Sequence, residues 1–362
     1  MIELTMLPAG HGDCLLLEYG QADDDRHRVL IDGGTSGTWK CLNRRLSRLP
    51  EAQRRFELLI ITHIDADHIA GALKLLEDER LGIQFSDIWF NGYRHLPETP
   101  LESLGAVQGE RLTDRLLDDQ HPWNRHFGGR AVRLHAQAGL PVVTLPGGLR
   151  LTLLSPDQQR LAELKPKWEK EIRKAGLDPR QPIEESEEPT PAPGGLEALG
   201  GGLPDIERLA DSPFDEDDSL ANGASIAVLA EYAGQRLLLT GDAHPSILID
   251  SIKRLNCWTN EPRLRLDALK LPHHGSKANL PVELLKLIDC PRYLVSTNGA
   301  YFKHPDQEAI ARIIKYGGER PELLFNYKSR YNEVWGNQRL QSAHGYRAIF
   351  AEDGGDGVVL RL

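Results

Sequence analysis

Residues 61–71 read ITHIDADHIAG. They place two histidines and two aspartates, His63, Asp65, Asp67 and His68, within six positions, directly after the apolar run Leu58-Leu59-Ile60-Ile61. Imidazoles and carboxylates are ligands for divalent cations. His63 and Asp65 stand two apart in an extended segment, so they point to one side. Asp67 and His68 open a helix whose tight first turn can aim both back at the strand end. Four potential ligands then converge on a small volume. A single ion cannot easily use all four, whereas two neighbouring divalent ions can share them. The plainer reading is an N-cap aspartate followed by solvated histidines.

Two later stretches bear on that choice. RLLLTGDAHP (236–245) ends an apolar strand with Gly241-Asp242, where a carboxylate can bridge two ions, one oxygen to each. ALKLPHHGSKANL (268–280) ends another strand with His273-His274-Gly275-Ser276. One of these histidines can ligate, while its neighbour, the Ser276 hydroxyl or the Lys277 ammonium faces an anionic ligand. Asp13, in GHGD, either faces the same edge or closes a strand-end turn. Each cluster alone is an ordinary polar turn. Three of them, each at the C-terminal end of an apolar strand, are hard to explain as unrelated turns.

The positioning elements follow from periodicity. Residues 2–7, 13–19, 28–32 and 57–62 read as strands, 37–49 and 67–79 as helices, and 86–90 as a strand. A helical excursion over 94–135 carries arginines and histidines. Strands return at 141–145, 150–154, 224–231, 235–240, 266–270 and 292–296, with helices from 245, at 280–288 and at 305–315. A terminal hairpin over 346–362 is expected to turn through Asp353-Gly354-Gly355-Asp356-Gly357. Residues 178–204 are rich in Pro, Gly and Glu and read as a mobile insert.

The chain of 362 residues has a net charge of −10. Residues 157–218 hold 17 acidic and 8 basic groups, so the rest of the chain is close to neutral and the total does not argue against an anionic substrate. The four cysteines form no C-x-x-C pair and read as reduced thiols. With no span-length apolar run and no signal pattern, a cytoplasmic location without membrane contact is expected.

GHGDCLLLEYG…VLIDGG, LLIITHIDADHIAG, NGASIAVLAEYAGQRLLLTGDA and LKLPHHGSKANL together resemble the metallo-β-lactamase fold superfamily. More narrowly they are similar to the hydrolase domain of the DNA-uptake protein ComEC and its free-standing relatives, and FKHPDQEAIARI (302–313) fits the same group. The resemblance implies an α/β, four-layer αββα sandwich forming a single domain, with inserts at about 94–135 and 157–218. It implies two divalent ions, Zn or Mn. It assigns His63 and Asp65 to the first ion, Asp67, His68 and His274 to the second, and Asp242 to both. Two departures stand out. Asp65 replaces the middle histidine of H-x-H-x-D-H. The strand before Asp242 offers Asn222 and Ser225 in place of a third histidine, with His95 and His135 as distant candidates. The first site is therefore expected to be weak, rich in oxygen ligands, or filled only with substrate present.

The implied activity is that of a phosphodiesterase or nuclease acting on DNA through a metal-activated hydroxide. Asp67 and Asp242 would orient the hydroxide, and His273 or His304 would protonate the leaving oxygen. Asp13, Asn222, Ser225, Ser276 and Lys277 would face the substrate. Arg44, Arg45, Arg48, Arg54, Arg55, Arg125, Arg130 and Arg133 are candidates for phosphate contact, and Trp123, Phe127 and Tyr301 for base stacking. The alternatives are a small-molecule ester, lactone or thioester hydrolase, or an effector subunit activated by a partner protein. In the last case Glu184, Glu185, Glu187 and Glu188 would lie across a basic groove. DNA processing or defence would follow by association only.

Overall fold

The computed structural model describes residues 1–21, 26–97, 107–118, 121–135, 139–175, 203–260, 262–352 and 355–362. The chain opens with an antiparallel meander of β1 (Ile2–Met6), β2 (Leu15–Tyr19) and β3 (His27–Ile31). Next come α1 (Trp39–Ser47), β4 (Arg55–Phe56), β5 (Leu58–Ile60), α2 (Ala66–Glu77), β6 (Gln84–Phe85) and β7 (Ile88–Trp89). The excursion holds α3 (Val107–Asp118) and leads to β8 (Val142–Thr144), β9 (Arg150–Ser155) and α4 (Gln158–Ala175). After α5 (Ile206–Ala210) and α6 (Leu220–Gly223) come β10 (Ala227–Tyr232), β11 (Gln235–Leu239) and α7 (Pro245–Thr259). Then follow β12 (Leu264–Arg265), β13 (Ala268–Lys270), α8 (Val282–Lys286), β14 (Ile288–Asp289) and β15 (Arg292–Val295). The chain continues through α9 (Gln307–Tyr316), β16 (Glu322–Phe325), α10 (Gln338–His344), β17 (Arg347–Phe350) and β18 (Val358–Arg361).

Two sheets result. One has the order β18-β1-β2-β3-β5-β7, the other β17-β16-β15-β13-β11-β10-β9-β8. Strand alternation builds the layers. Leu15, Leu17, Val29, Ile31, Leu58 and Ile60 turn inward against Leu151, Leu153, Leu229 and Leu237 of the second sheet. Their neighbours Leu16, Leu30 and Leu59 turn outward onto Leu42, Ile69, Leu73, Leu112 and Leu161 of the helices α1 to α4. Ile252 of α7 and Ile310 and Ile313 of α9 are buried with the second sheet. Each fully buried leucine or isoleucine contributes about 1.5–3 kcal/mol. The fold is the four-layer αββα sandwich. Among the described residues no helix is long and apolar enough to cross a membrane.

The expected terminal hairpin is corrected. β17 pairs in parallel with β16 in the larger sheet, whereas β18 pairs antiparallel with β1 in the smaller one. The two strands adjoin in sequence but belong to different layers. β16 has no counterpart in the sequence reading: its short apolar run is a parallel strand buried between β15 and β17 and shows no alternation. β10 begins at Ala227 rather than 224, because Ser225 is diverted into side-chain bonds described below. The acidic stretch 157–218 contains α5 and all of α4, whose Leu161, Leu164 and Trp168 are buried. Residues 178–202 of the Pro/Gly/Glu-rich run, with Glu184, Glu185, Glu187 and Glu188, lie outside the described residues.

Candidate metal centre

Three strand ends and one loop meet at the same edge of the sandwich. β5 runs out into Ile61–Ile64, Asp65 is the N-cap position of α2, and Asp67 and His68 sit in its first turn. The loop after β1 packs onto that turn so closely that a Cβ at Gly12 would lie 1.6 Å from the Asp67 carbonyl oxygen. β11 runs into Gly241-Asp242, and β13 into Pro272–Gly275. There His273 and His274 both adopt left-handed backbone, with φ of 46° and 55°. Such conformations cost about 1–3 kcal/mol each for non-glycine residues and persist where the surroundings impose them. Here they turn the two imidazoles toward Asp242.

Hydrogen bonds fix the ring tautomers. His68 Nδ1 donates to Asp32 Oδ2 at 2.8 Å, and His274 Nδ1 donates to the Ser296 carbonyl at 2.8 Å. Each ring therefore turns an Nε2 lone pair inward, and the two Nε2 atoms face each other at 3.3 Å. Asp242 Oδ2 lies 3.4 Å from His68 Nε2 and 3.6 Å from His274 Nε2, and Asp67 Oδ2 lies 3.5 Å from the latter. Two lone pairs and two carboxylates around one buried point call for a cation. Asp13, Asp32, Asp67 and Asp242 are all buried, and among the described residues Lys270 is the one buried ammonium beside them. Such an excess of buried negative charge is costly unless neutralised. The same demand shows in ring basicity. Burial disfavours charge on His274, but Asp242 and Asp13 pull its pKa up to about 9. His68 is likewise raised, by Asp242, Asp32 and Asp67, against its burial. Burial would raise the Asp67 carboxyl, yet His68 and His274 hold it well below the usual range. The donor set of imidazole nitrogens and carboxylate oxygens fits Zn or Mn.

The other half of the expected pair is thinner. His63 Nδ1 lies 3.0 Å from both Thr62 Oγ1 and Ser225 Oγ. The Thr62 hydroxyl hydrogen is committed to Asp32 at 2.7 Å, so Thr62 Oγ1 accepts from His63 Nδ1 and the Nε2 lone pair is left without a hydrogen-bond partner. That Nε2 lies 3.7 Å from Asp65 Oδ2 and 3.9 Å from Asp242 Oδ2. The Asp65 side chain is 42% exposed. His95 does not complete this half: it packs edge-on against Trp123, with centroids 4.6 Å apart, and its Nε2 meets Asn124. His135 is exposed.

Three residues escaped the sequence reading. Asp32, itself left-handed at φ 57°, accepts from Thr62 N, Thr62 Oγ1 and His68 Nδ1. Lys270 is fully buried at the end of β13 and salt-bridged to Asp13, whose Oδ1 lies 3.3 Å from His274 Nδ1. Burial would raise the Asp13 carboxyl, but Lys270, His274 and His68 bring it down to about 2. Asp217 accepts from Asn222 at 2.7 Å and Asn279 at 3.0 Å and lies 3.3 Å from His273 Nδ1. Each has a local signal: an aspartate before two glycines, a lysine breaking an apolar strand, and an aspartate two before a Ser N-cap.

Several expected substrate contacts are corrected. Lys277 is exposed and reaches Glu308 at 3.1 Å, and the Ser276 hydroxyl accepts from the Ala278 amide, so neither turns to the centre. Asp13 is buried beneath the centre, and Ser225 accepts the Asp242 amide while holding His63. Asn222 Nδ2 donates at 2.7 Å to Asp217, the carboxylate that faces His273 Nδ1. Ser225 and Asn222 thus support His63 and His273 rather than an open face. His304 stands beside His273, with centroids 5.2 Å apart. Among the arginines, Arg54 holds the Leu49 and Leu81 carbonyls, Arg45 pairs with Glu18, and Arg44 and Arg48 face Asp356. Trp123 donates to the Phe90 carbonyl and Phe127 packs on Trp89, whereas Tyr301 is exposed beside the site. An open cleft lined by Arg150, Glu231, Arg236 and Asp267 lies at the opposite ends of β10, β11 and β13, where its charges pair among themselves. The centre lies instead outside the carboxyl ends of β5, β11 and β13, the usual ligand edge of parallel strands.

Residues 7–84 match the metallo-beta-lactamase superfamily. The match takes in Asp13, Asp32 and the whole His63–His68 cluster, while Asp242, His273 and His274 join it through geometry. Solved structures similar to the chain include Zn(2+)-bound PqqB from Methylobacterium extorquens, 13% identical with a TM-score of 0.44, covering 99% of this chain and 100% of that one. The short form of human tRNase Z is 12% identical, TM-score 0.43, over 99% and 98% of the two chains. A diphosphatase of the PhnP family is 12% identical, TM-score 0.41, over 100% and 98%. No curated protein matches the chain in sequence. The match over residues 7–84 and the buried cluster of Asp13, His68, Asp242 and His274 together describe a metallo-beta-lactamase-like fold with a candidate metal centre.

Proposed function

We propose that the chain is a metal-dependent phosphodiesterase acting on nucleic acid, with DNA the first substrate to test, and that it is related to the ComEC-type hydrolases. The observation that carries this reading is the opposed pair of His68 and His274 Nε2 lone pairs beside Asp67 and Asp242. Asp67, His68, Asp242 and His274 would hold one divalent ion, and His63, Asp65 and Asp242 a second. Bound there, such ions supply acidified water as nucleophile near neutral pH and neutralise a phosphoryl oxygen.

The chain's own groups do the rest. Asp67 and Asp242 accept hydrogens of the attacking water and orient it. His273 Nδ1 is held by Asn279 Oδ1 at 3.0 Å and Asp217, which directs Nε2 toward the centre, 4.0 Å from Asp242 Oδ2. Burial lowers the basicity of His273, but Asp242 and Asp217 raise it above the ordinary value. A protonated His273 suits proton donation to a leaving oxygen. Burial keeps His304 below its ordinary value, so it is the poorer donor.

The test is cleavage of plasmid and single-stranded DNA by purified protein with Mn or Zn, beside the double variant Asp67→Ala/His68→Ala. Metal-dependent nicking that the variant loses supports the reading. Bound metal without cleavage overturns it in favour of a small-ester hydrolase or a partner-activated subunit. Absence of bound metal overturns the site itself.

A further inference from the structure

A chain of aromatic rings leads out of the centre. His274 is buried, and its ring centroid lies 5.9 Å from that of His273. His273 lies 6.0 Å from Phe302, and Phe302 lies 4.6 Å from Tyr301. His304 stacks on Phe302 at 5.9 Å and 21°, and His11 on Tyr301 at 5.2 Å and 23°. The outer members are open to solvent: Tyr301 is 51% and Phe302 44% exposed. Among the described residues they are the one sequence-adjacent pair of exposed large apolar side chains. Lys303 follows them, exposed, and makes no ion pair among the described residues.

The loop that presents these rings is well anchored. Asn298 N donates to the Gly10 carbonyl at 2.8 Å, Thr297 N to Asn326 Oδ1 at 2.9 Å, and Lys303 N to the Gly299 carbonyl at 3.1 Å. Gly299 has a φ of 72°, and a Cβ there would meet Tyr331 at 2.3 Å. A rigid loop that holds two aromatic side chains in water forgoes their burial, and such patches mark binding surfaces.

The geometry points to a stacking platform for unpaired bases, formed by Tyr301 and Phe302 with Lys303 on the adjoining phosphate, so that the substrate is single-stranded nucleic acid. The inference rests on the phosphodiesterase reading above. A base within a duplex has both faces covered by its neighbours, whereas an unpaired base offers a face that aromatic side chains can stack on without regard to sequence. The platform adjoins His273, so a base stacked on it would place a neighbouring phosphodiester beside the centre. Lys303 adds a cation where the strand's backbone would pass.

The test is binding of a fluorescein-labelled phosphorothioate oligothymidylate, and of a duplex of the same length, to the metal-loaded protein, read by anisotropy. Tyr301→Ala and Phe302→Ala are compared with Tyr301→Phe, and cleavage of the ordinary strand is followed in parallel. The platform predicts that the single strand binds better than the duplex. Each alanine variant should bind it roughly tenfold more weakly, with KM raised and kcat kept, and Tyr301→Phe should behave as the wild type. Cleavage with single-strand binding unchanged in the alanine variants overturns the platform and leaves the phosphodiesterase. Binding lost in those variants while the wild type cleaves nothing overturns the phosphodiesterase and leaves a strand-binding site. Equal or tighter binding of the duplex also overturns the platform.

Discussion

His68 Nε2 and His274 Nε2 face each other across 3.3 Å of buried space, each with its other nitrogen committed to an acceptor. Two acceptor nitrogens at that separation repel unless a cation joins them. His68→Ala or His274→Ala is expected to lower bound Zn or Mn below one ion per chain by elemental analysis, with the circular dichroism spectrum retained. Full metal content in both variants would place the ion elsewhere.

Asp32 touches no reacting group, yet it holds His68 and Thr62 together. Partners that orient a metal-binding imidazole are worth about 10–100-fold in metal affinity. Asp32→Asn preserves shape and replaces the acceptor oxygens in part. A competition titration against a chromophoric chelator should show a loss within that range.

The two halves of the centre differ in burial and in donor number. One half joins His68, His274, Asp67 and Asp242, whereas the other has His63, Asp242 and the half-buried Asp65. Dialysed protein is expected to keep a single tightly held ion and to take up a second only in excess metal, measured by isothermal titration. Two equal sites would contradict that asymmetry.

Lys270 and Asp13 are both fully buried, and the ammonium is the carboxylate's salt-bridge partner. Removing one partner of a buried pair leaves an uncompensated charge and costs about 3–5 kcal/mol. Lys270→Met should therefore lower the urea midpoint with an unchanged slope, and adding Asp13→Asn should recover part of the loss. A Lys270→Met midpoint equal to that of the wild type would show that the pair is dispensable.

His95 gives a pH signature away from the centre. Burial, aided by Arg94, brings its pKa down to about 4. An unfolded histidine titrates near ~6.5. Between these values the unfolded chain binds a proton that the folded chain refuses, so stability falls as pH drops from about 6.5 to about 4, by at most ~3 kcal/mol. Chemical denaturation over that window should show a shallower decline for His95→Gln than for the wild type.

The sequence made the candidate centre legible where its groups are local. His63, Asp65, Asp67 and His68 announce themselves by spacing, and Asp242 and His274 by their place at strand ends. What stayed hidden depends on approach through space. Asp217 has only its place two before the Ser219 N-cap to mark it within an acidic run, and the fold alone brings it to His273. Lys277 reads as an anion contact in HHGSK, but the 3-10 turn over Pro272–Gly275 sends it outward to Glu308. Asp13 and Lys270 lie 257 positions apart, so neither could predict the other. Short parallel strands behaved likewise: β16 carries no alternation to reveal it, and the neighbouring β17 and β18 part company into different sheets.

That parting has a consequence for synthesis. β1 lies between β2 and β18, with Glu3 opposite Arg361 and the amides of Ile2 and Leu362 each bonded to the other's carbonyl. β1 thus gains its second neighbour only after residues 358–361 have been made. Loop closure over such a separation is slow. Until then β1 would present an open, pairing-competent edge to any other chain.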